Sequence, residues 1–131
     1  MIHPPLKMHH IGIACKDIEQ CKQFIKNSMV VTEETETIFD ELQNAFICLL
    51  TLEDSSRLEL VSGEIVKDII KQGMSYYHTC YSVNDIQKAI KILQQECKAI
   101  VISEPKKAKI FNGRLAAFLY TPIGILELLE D

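Results

Sequence analysis

HIGIACKDI at residues 10–18 and HTCYSVNDI at residues 78–86 are one segment written twice, 68 residues apart. His10 falls on His78, Asp17 on Asp85 and Ile18 on Ile86. The same displacement carries Leu58-Glu59-Leu60 onto Leu126-Glu127-Leu128, so a single offset accounts for two separate matches. A duplicated unit explains both.

Outward from these segments each copy reads as strand, helix and further strands. Met8 to Cys15 alternates, with Ile11 and Ile13 on one side, which is a strand period. Asp17 caps a helix; with Gln20 three residues on it resembles a capping box, and Ile18, Cys21, Phe24 and Ile25 share one helical face. Val30 to about Ile38 reads as one strand, Ala45 to Leu52 as the next, and Arg57 to Ser62 as a third after the polar turn 53–56. A short amphipathic helix with Ile65, Val66, Ile69 and Ile70 stops at Gly73. The second copy follows the same order: strand Tyr76 to Val83, helix Asp85 to Cys97, strand Ala99 to Ile102, and two strands ending near Glu130. Ile86, Ala89, Ile90, Leu93 and Cys97 make one stripe on its helix. Ser103 to Gly113, long, basic and turn-rich, reads as a mobile loop. The expected class is α+β: one domain over residues 1–131, built of two tandem βαβββ modules at 8–63 and 76–131.

Composition fits that size. The chain has 131 residues, 47% of them apolar, enough for a packed core without staples. Its 18 carboxylates outnumber 14 Lys and Arg, so the basic field needed for nucleic acid or an anionic membrane is missing. No stretch approaches the roughly 20 apolar residues of a membrane span, and MIHPPLKMHH lacks a basic start and an apolar run. A cytoplasmic protein is expected. The five cysteines, Cys15, Cys21, Cys48, Cys80 and Cys97, are scattered without a C-x-x-C pair, which suits reduced and mostly buried thiols. Cys80 is divided between core and cavity.

The repeat singles out four polar residues in otherwise apolar strands: His10, Glu59, His78 and Glu127. His10 shares its strand side with Gly12 and Ala14, and His78 with Cys80 and Ser82; these small residues leave room. His9, whose counterpart is Tyr77, falls on the other side. A buried unpaired carboxylate costs several kcal/mol, roughly, or shifts its pKa, so two of them call for a cation or shared protons. Two imidazoles and two carboxylates suit one divalent Ni, Co, Zn, Mn or Fe ion with positions left for water or substrate. A lone strand histidine is more often a core residue; four in phase are not explained that way. Lys106, Lys107 and Lys109 read as a solvated loop, with contact to a substrate phosphate or carboxylate as the alternative.

HHIGIACKDIE, RLELVS, YYHTCYSVNDIQKAI and RLAAFLYTPIGILELLE resemble the vicinal oxygen chelate superfamily, which includes glyoxalase I, methylmalonyl-CoA epimerase, extradiol dioxygenases and antibiotic-binding resistance proteins. The resemblance spans Met8 to Glu130. It implies the glyoxalase/bleomycin resistance/dioxygenase fold, a cupped, mixed and mostly antiparallel sheet around a metal, and it carries the ligand role onto His10, Glu59, His78 and Glu127. The implied chemistry is isomerase- or lyase-type movement of a proton beside a carbonyl through a metal-bound enolate, with Glu127 as the preferred base and Glu59 as its partner on the other face. Where glyoxalases carry an Arg after the first ligand and an Asn after the second, this chain has Ala14 and Ser62-Gly63. Where epimerases have His-Pro-Lys and a glycine-rich turn, it has Tyr120 to Gly124, and the run Gln43 to Leu52 lacks the carboxylate some of them place there. The substrate is expected to be an acyl thioester, ahead of a hemithioacetal as in lactoylglutathione lyase. A metal-free small-molecule or antibiotic-binding protein and an extradiol-type dioxygenase are the alternatives, and a homodimer is left open.

Overall fold

The computed structural model describes residues 3–131, and the duplication shows first at its helix starts. The Asp17 carboxylate accepts the backbone N–H of Glu19 (2.9 Å) and of Gln20 (3.4 Å), and the Asp85 carboxylate accepts that of Lys88 (3.1 Å). Each satisfies donors that a helix leaves open at its N-terminus. Among the described residues the order is β1 (Lys7–Ala14), α1 (Ile18–Ser28), β2 (Val31–Glu34), β3 (Ile38–Asp40), β4 (Ala45–Leu52), β5 (Arg57–Gly63), a 3-10 turn (Glu64–Val66), α2 (Lys67–Lys71), β6 (Tyr76–Val83), α3 (Ile86–Cys97), β7 (Ile100–Ala108), β8 (Arg114–Thr121) and β9 (Gly124–Glu130). This is the mixed α+β class that the sequence predicts. No helix among the described residues is long and apolar enough to cross a membrane.

Two compact units divide the chain: His10–Tyr77, and residues 3–9 together with His78–Asp131. In the first, the strands lie in the order β2-β4-β5-β1, with β3 also on β4; β1 and β5 are parallel and the other pairs antiparallel. Its core joins Ile18 and Ile25 of α1 to Cys15, Cys48, Leu50 and Leu60, with Ile13, Leu52 and Leu58 packed alongside. In the second unit the order is β6-β9-β8-β7, again with one parallel pair, β6 and β9. Ile86, Ala89, Ile90 and Leu93 of α3 pack there on Ala117, Leu119, Leu126 and Leu128. Each isoleucine or leucine among them contributes about 1.5–3 kcal/mol when fully withdrawn from water. Phe24, assigned to the inward stripe of α1, is instead 66% exposed.

Two expected segments differ. The strand Val30 to Ile38 is broken into β2 and β3, because Glu34 pairs Leu50 whereas Ile38 pairs Ile47, leaving three residues opposite two. Thr35 absorbs the extra residue: its N–H donates to Leu49 O (3.0 Å), and its hydroxyl accepts Leu49 N–H (2.9 Å). The expected loop from Ser103 continues β7 as far as Ala108, paired antiparallel to β8, with register shifts on both sides of Ser103. Pro105 sits inside the second shift, where a residue without an N–H interrupts no ladder bond. Only Lys109–Phe111 and the turn after it lie outside the strand.

Candidate metal-binding half-sites

The duplication extends to register. On the parallel pair β1/β5, Gly12 stands opposite Glu59 and Ile11 opposite Leu58; on β6/β9, Cys80 stands opposite Glu127 and Thr79 opposite Leu126. Alternation places His10 on the face of Gly12 and Glu59, and His78 on the face of Cys80 and Glu127. The third strand departs by one residue. Leu49 of β4 pairs Glu59, whereas Phe118 of β8 pairs Glu127, so the β8–β9 hairpin is one residue shorter than its counterpart.

Each unit therefore brings one imidazole to one carboxylate. His10 Nε2 lies 3.8 Å from a Glu59 oxygen, and His78 Nε2 lies 2.9 Å from a Glu127 oxygen. All four residues are at most 2% exposed. Phe118 meets His78 edge-on, with centroids 5.4 Å apart and planes at 89°, which holds the ring's tilt; the position corresponding to Phe118 in the first unit is Leu49. Two ligand atoms on one ion, each about 2.1 Å from it, sit about 3.0–3.4 Å apart. The two separations bracket that range, and a nitrogen–oxygen donor set suits a borderline divalent metal, so the residues fit the ion the sequence calls for.

The remaining sequence candidates separate cleanly. Cys80 is buried and shares the face of Glu127. Cys15 and Cys48 are buried, Cys21 half-buried and Cys97 exposed, all as free thiols, so the expectation of burial fails at Cys97. Burial, with Cys21 as neighbour, pushes the Cys15 thiol far up, which makes it an inert core group. His9 stacks edge-on against Phe111 at 5.3 Å, and His3 is exposed. Lys106, Lys107 and Lys109 are exposed, the first two on β7. Sequence reading passed over two features of the first unit. Asp40 and Gln43 form a buried pair, Gln43 Nε2 donating to the Asp40 carboxylate at 2.7 Å across the β3–β4 turn. Arg57, which opens β5, lies on the Glu59 face; the alternation in RLEL was the signal for it.

No curated protein sequence matches the chain. Solved structures do. A hypothetical protein from Bacillus halodurans C-125 is 25% identical, with 96% of this chain and 94% of that one covered, at a TM-score of 0.74. Methylmalonyl-CoA epimerase from Mycobacterium tuberculosis is similar at 18% identity, 95% and 87% coverage and a TM-score of 0.74. A variant of Streptomyces coelicolor methylmalonyl-CoA epimerase, in complex with 2-nitronate-propionyl-CoA, is similar at 20% identity, 100% and 99% coverage and a TM-score of 0.71. Those two likenesses concern the fold. The sequence pattern of the Glyoxalase/Bleomycin resistance protein/Dioxygenase superfamily matches residues 9–118, most of the chain, and takes in His10, Glu59 and His78; this chain belongs to that superfamily.

Proposed function

We propose that the chain is a metal-dependent isomerase or lyase that moves a proton on the carbon beside a carbonyl, of the methylmalonyl-CoA epimerase or glyoxalase I type. The observation that carries this reading is the recurrence of a buried His–Glu pair at the same register in both units. His10, Glu59, His78 and Glu127 together would hold one divalent ion. Bound there, the ion would supply Lewis-acid stabilisation of negative charge developing on the substrate's carbonyl oxygen. His10 and His78 serve as ligands. Glu127 is assigned the base, taking the proton from the carbon, and Glu59 returns one from the other face. The carboxylates suit this because burial beside an imidazole leaves them few competing water contacts.

An acyl thioester ranks above a hemithioacetal as substrate. Ala14 and Ser62-Gly63 stand where glutathione-using relatives carry Arg and Asn, and epimerases are among the structurally similar proteins. A metal-free binding protein with the same fold is the second reading; the two buried pairs weigh against it. Elemental analysis of purified protein, with deuterium uptake from heavy water into acyl thioesters, tests the proposal. About one metal per chain and exchange at the α-carbon are expected. Protein free of metal would overturn the assignment, and brisk lactoylglutathione formation with no thioester exchange would reverse the ranking of the substrates.

A further inference from the structure

Three of the five cysteines gather in the core of the first unit, where α1 packs on the sheet face turned away from Glu59. Cys15 follows β1, Cys21 lies in α1 and Cys48 in β4. The repeat shows what packing alone asks for at these positions. Cys15 corresponds to Val83 and Cys21 to Ala89 by the 68-residue displacement, and Cys48 corresponds to Ala117 by register, since Cys48 pairs Leu60 as Ala117 pairs Leu128. Val83, Ala89 and Ala117 are all buried in the core of the second unit. Alkyl groups therefore fill this place in one copy, and thiols fill it in the other.

The three thiols differ in what they can do. Cys48 is buried, and its S–H donates to Thr35 O at 3.3 Å, so the residue at the β2–β3 break engages it. Cys15 is buried and Cys21 half-buried, and their two thiols are in hydrogen-bonding contact. Cys21 also lines a groove of about 370 Å³ whose walls include Ile13, Phe24 and Leu58. A small reagent in that groove meets Cys21, with Cys15 behind it. An accessible thiol touching a second one is the arrangement in which one sulfur is oxidised and the other resolves it.

We propose that Cys15 and Cys21 are a redox-sensing pair, forming a reversible disulfide when a hydroperoxide enters the groove. The Cys21 sulfur attacks the peroxide: an S–O bond forms, the O–O bond breaks, and the other oxygen leaves as an alcohol or water with the thiol proton. The Cys15 sulfur then attacks that of Cys21. An S–S bond forms as the S–O bond breaks, and water leaves with the Cys15 proton. The two thiols have given up two electrons and the peroxide has taken them; a dithiol reductant restores both. Cys15 is held as a thiol first by burial and then by Cys21 itself, so oxidation of Cys21 removes the second restraint. Contact supplies the rest, because groups held in position to attack act at effective concentrations of roughly 10⁵–10⁸ M. Sulfurs already touching have only to close to about 2.05 Å.

The test exposes the zinc-loaded chain, whose metal does not cycle, to hydrogen peroxide, followed by an acid quench and alkylation with N-ethylmaleimide. Trypsin cuts after Lys16, so the two cysteines fall on separate peptides and a link between them is visible by non-reducing mass spectrometry. A Cys15–Cys21 link that dithiothreitol removes is the expected result. Cys21→Ala, which installs the residue the second unit carries, should lose the link and leave Cys15 unoxidised. Cys15→Val, chosen the same way, should stop at the Cys21 sulfenic acid and give several-fold more dimedone adduct than wild type. Cys48→Ala should keep the link. Oxidation of wild-type Cys21 with no link, no oxidation of it at all, a link that needs Cys48, or one that forms only in urea-unfolded chain would each overturn the proposal.

Discussion

The His10–Glu59 pair and the His78–Glu127 pair occupy equivalent register positions, yet they are furnished differently. The first has Gly12 and Leu49 beside the glutamate, a 3.8 Å separation, and Arg57 two residues along the same strand face. The second has Cys80 and Phe118, a 2.9 Å separation, and Ile125 in the place of Arg57. The backbone repeat decides where a histidine and a glutamate meet. The neighbours decide how tightly they are held and what can approach. A one-residue shortening of the β8–β9 hairpin is part of this, because it sets Phe118 rather than Ala117 opposite Glu127. Glu127 is the more closely paired of the two carboxylates, at 2.9 Å against 3.8 Å, and in the reaction proposed above it serves as the base with Glu59 as its partner.

The largest effect expected from breaking this asymmetry is on turnover. Glu127→Gln keeps an oxygen able to coordinate but none able to accept a proton at neutral pH, so the rate should fall by roughly 10²–10⁴ at saturating metal. Glu59→Gln, its counterpart, should still wash deuterium into one substrate stereoisomer while failing to interconvert the pair. Wild-type turnover by metal-saturated Glu127→Gln would reduce that residue to a ligand.

Metal content comes next. His10→Ala and His78→Ala should each remove most of the bound metal and stay folded, as circular dichroism can check, because the apolar residues that pack α1 and α3 on their sheets are untouched. Loss from His78→Ala should be the greater, since Phe118 holds that ring and leaves a fixed gap when it goes. Stoichiometric metal in the double variant would refute the shared site.

Much of this was legible because a repeat needs no knowledge of packing. His10, His78, Glu59 and Glu127 emerge from one displacement, and so do both helix caps. Bulges did not emerge. Thr35 reads as an ordinary strand residue, and only pairing with β4 reveals that three residues must fit opposite two. Pro105 and the lysines after it read as loop because proline is rare in strands, but a register shift gives it a place where its missing N–H is harmless. Arg57 was passed over for another reason: alternation places it on the Glu59 face, but the repeat, which puts Ile125 at that position, does not single it out.

A third difference is confined to backbone. Gly63 ends β5 at φ +154°, and an added Cβ would lie 3.0 Å from Asn44 O and 3.1 Å from Ala45 Cα, both backbone atoms unable to swing aside. Its counterpart under the repeat is Asp131, which has no such constraint. Gly63→Ala should destabilise by about 1–3 kcal/mol, read as a lowered denaturation midpoint. Asp131→Ala should cost little. Equal effects would mean that the close approach at the β4–β5 end is not maintained in solution.

The smallest effect concerns how helices are tied to strands. In the first unit Glu34 of β2 receives Lys26 and, at 3.1 Å, Lys22, both from α1. Hydrogen bonds from Lys26 and then Lys22 hold the Glu34 carboxyl below the usual carboxylate range. Its folded pKa is thus the lower one, so the contribution is fully present above the unfolded value and is lost as pH falls through the folded value. In α3 the corresponding positions are Ile90 and Gln94, which carry no charge, so no lysine–carboxylate pair ties that helix; its strand contact of this kind is the hydrogen bond that Glu130 of β9 accepts from Ile86 N–H at 3.0 Å. Glu34 is at the surface, and water and salt screen the cluster, so the change should be small and should shrink as ionic strength rises. Amide hydrogen exchange between about pH 5 and about pH 3, corrected for the intrinsic rate, should show protection of α1 falling relative to α3. Glu34→Gln should remove that difference at every pH. A relative loss that persists in Glu34→Gln, or in high salt, would assign the acid sensitivity of α1 to another group and leave the two helices equally well tied.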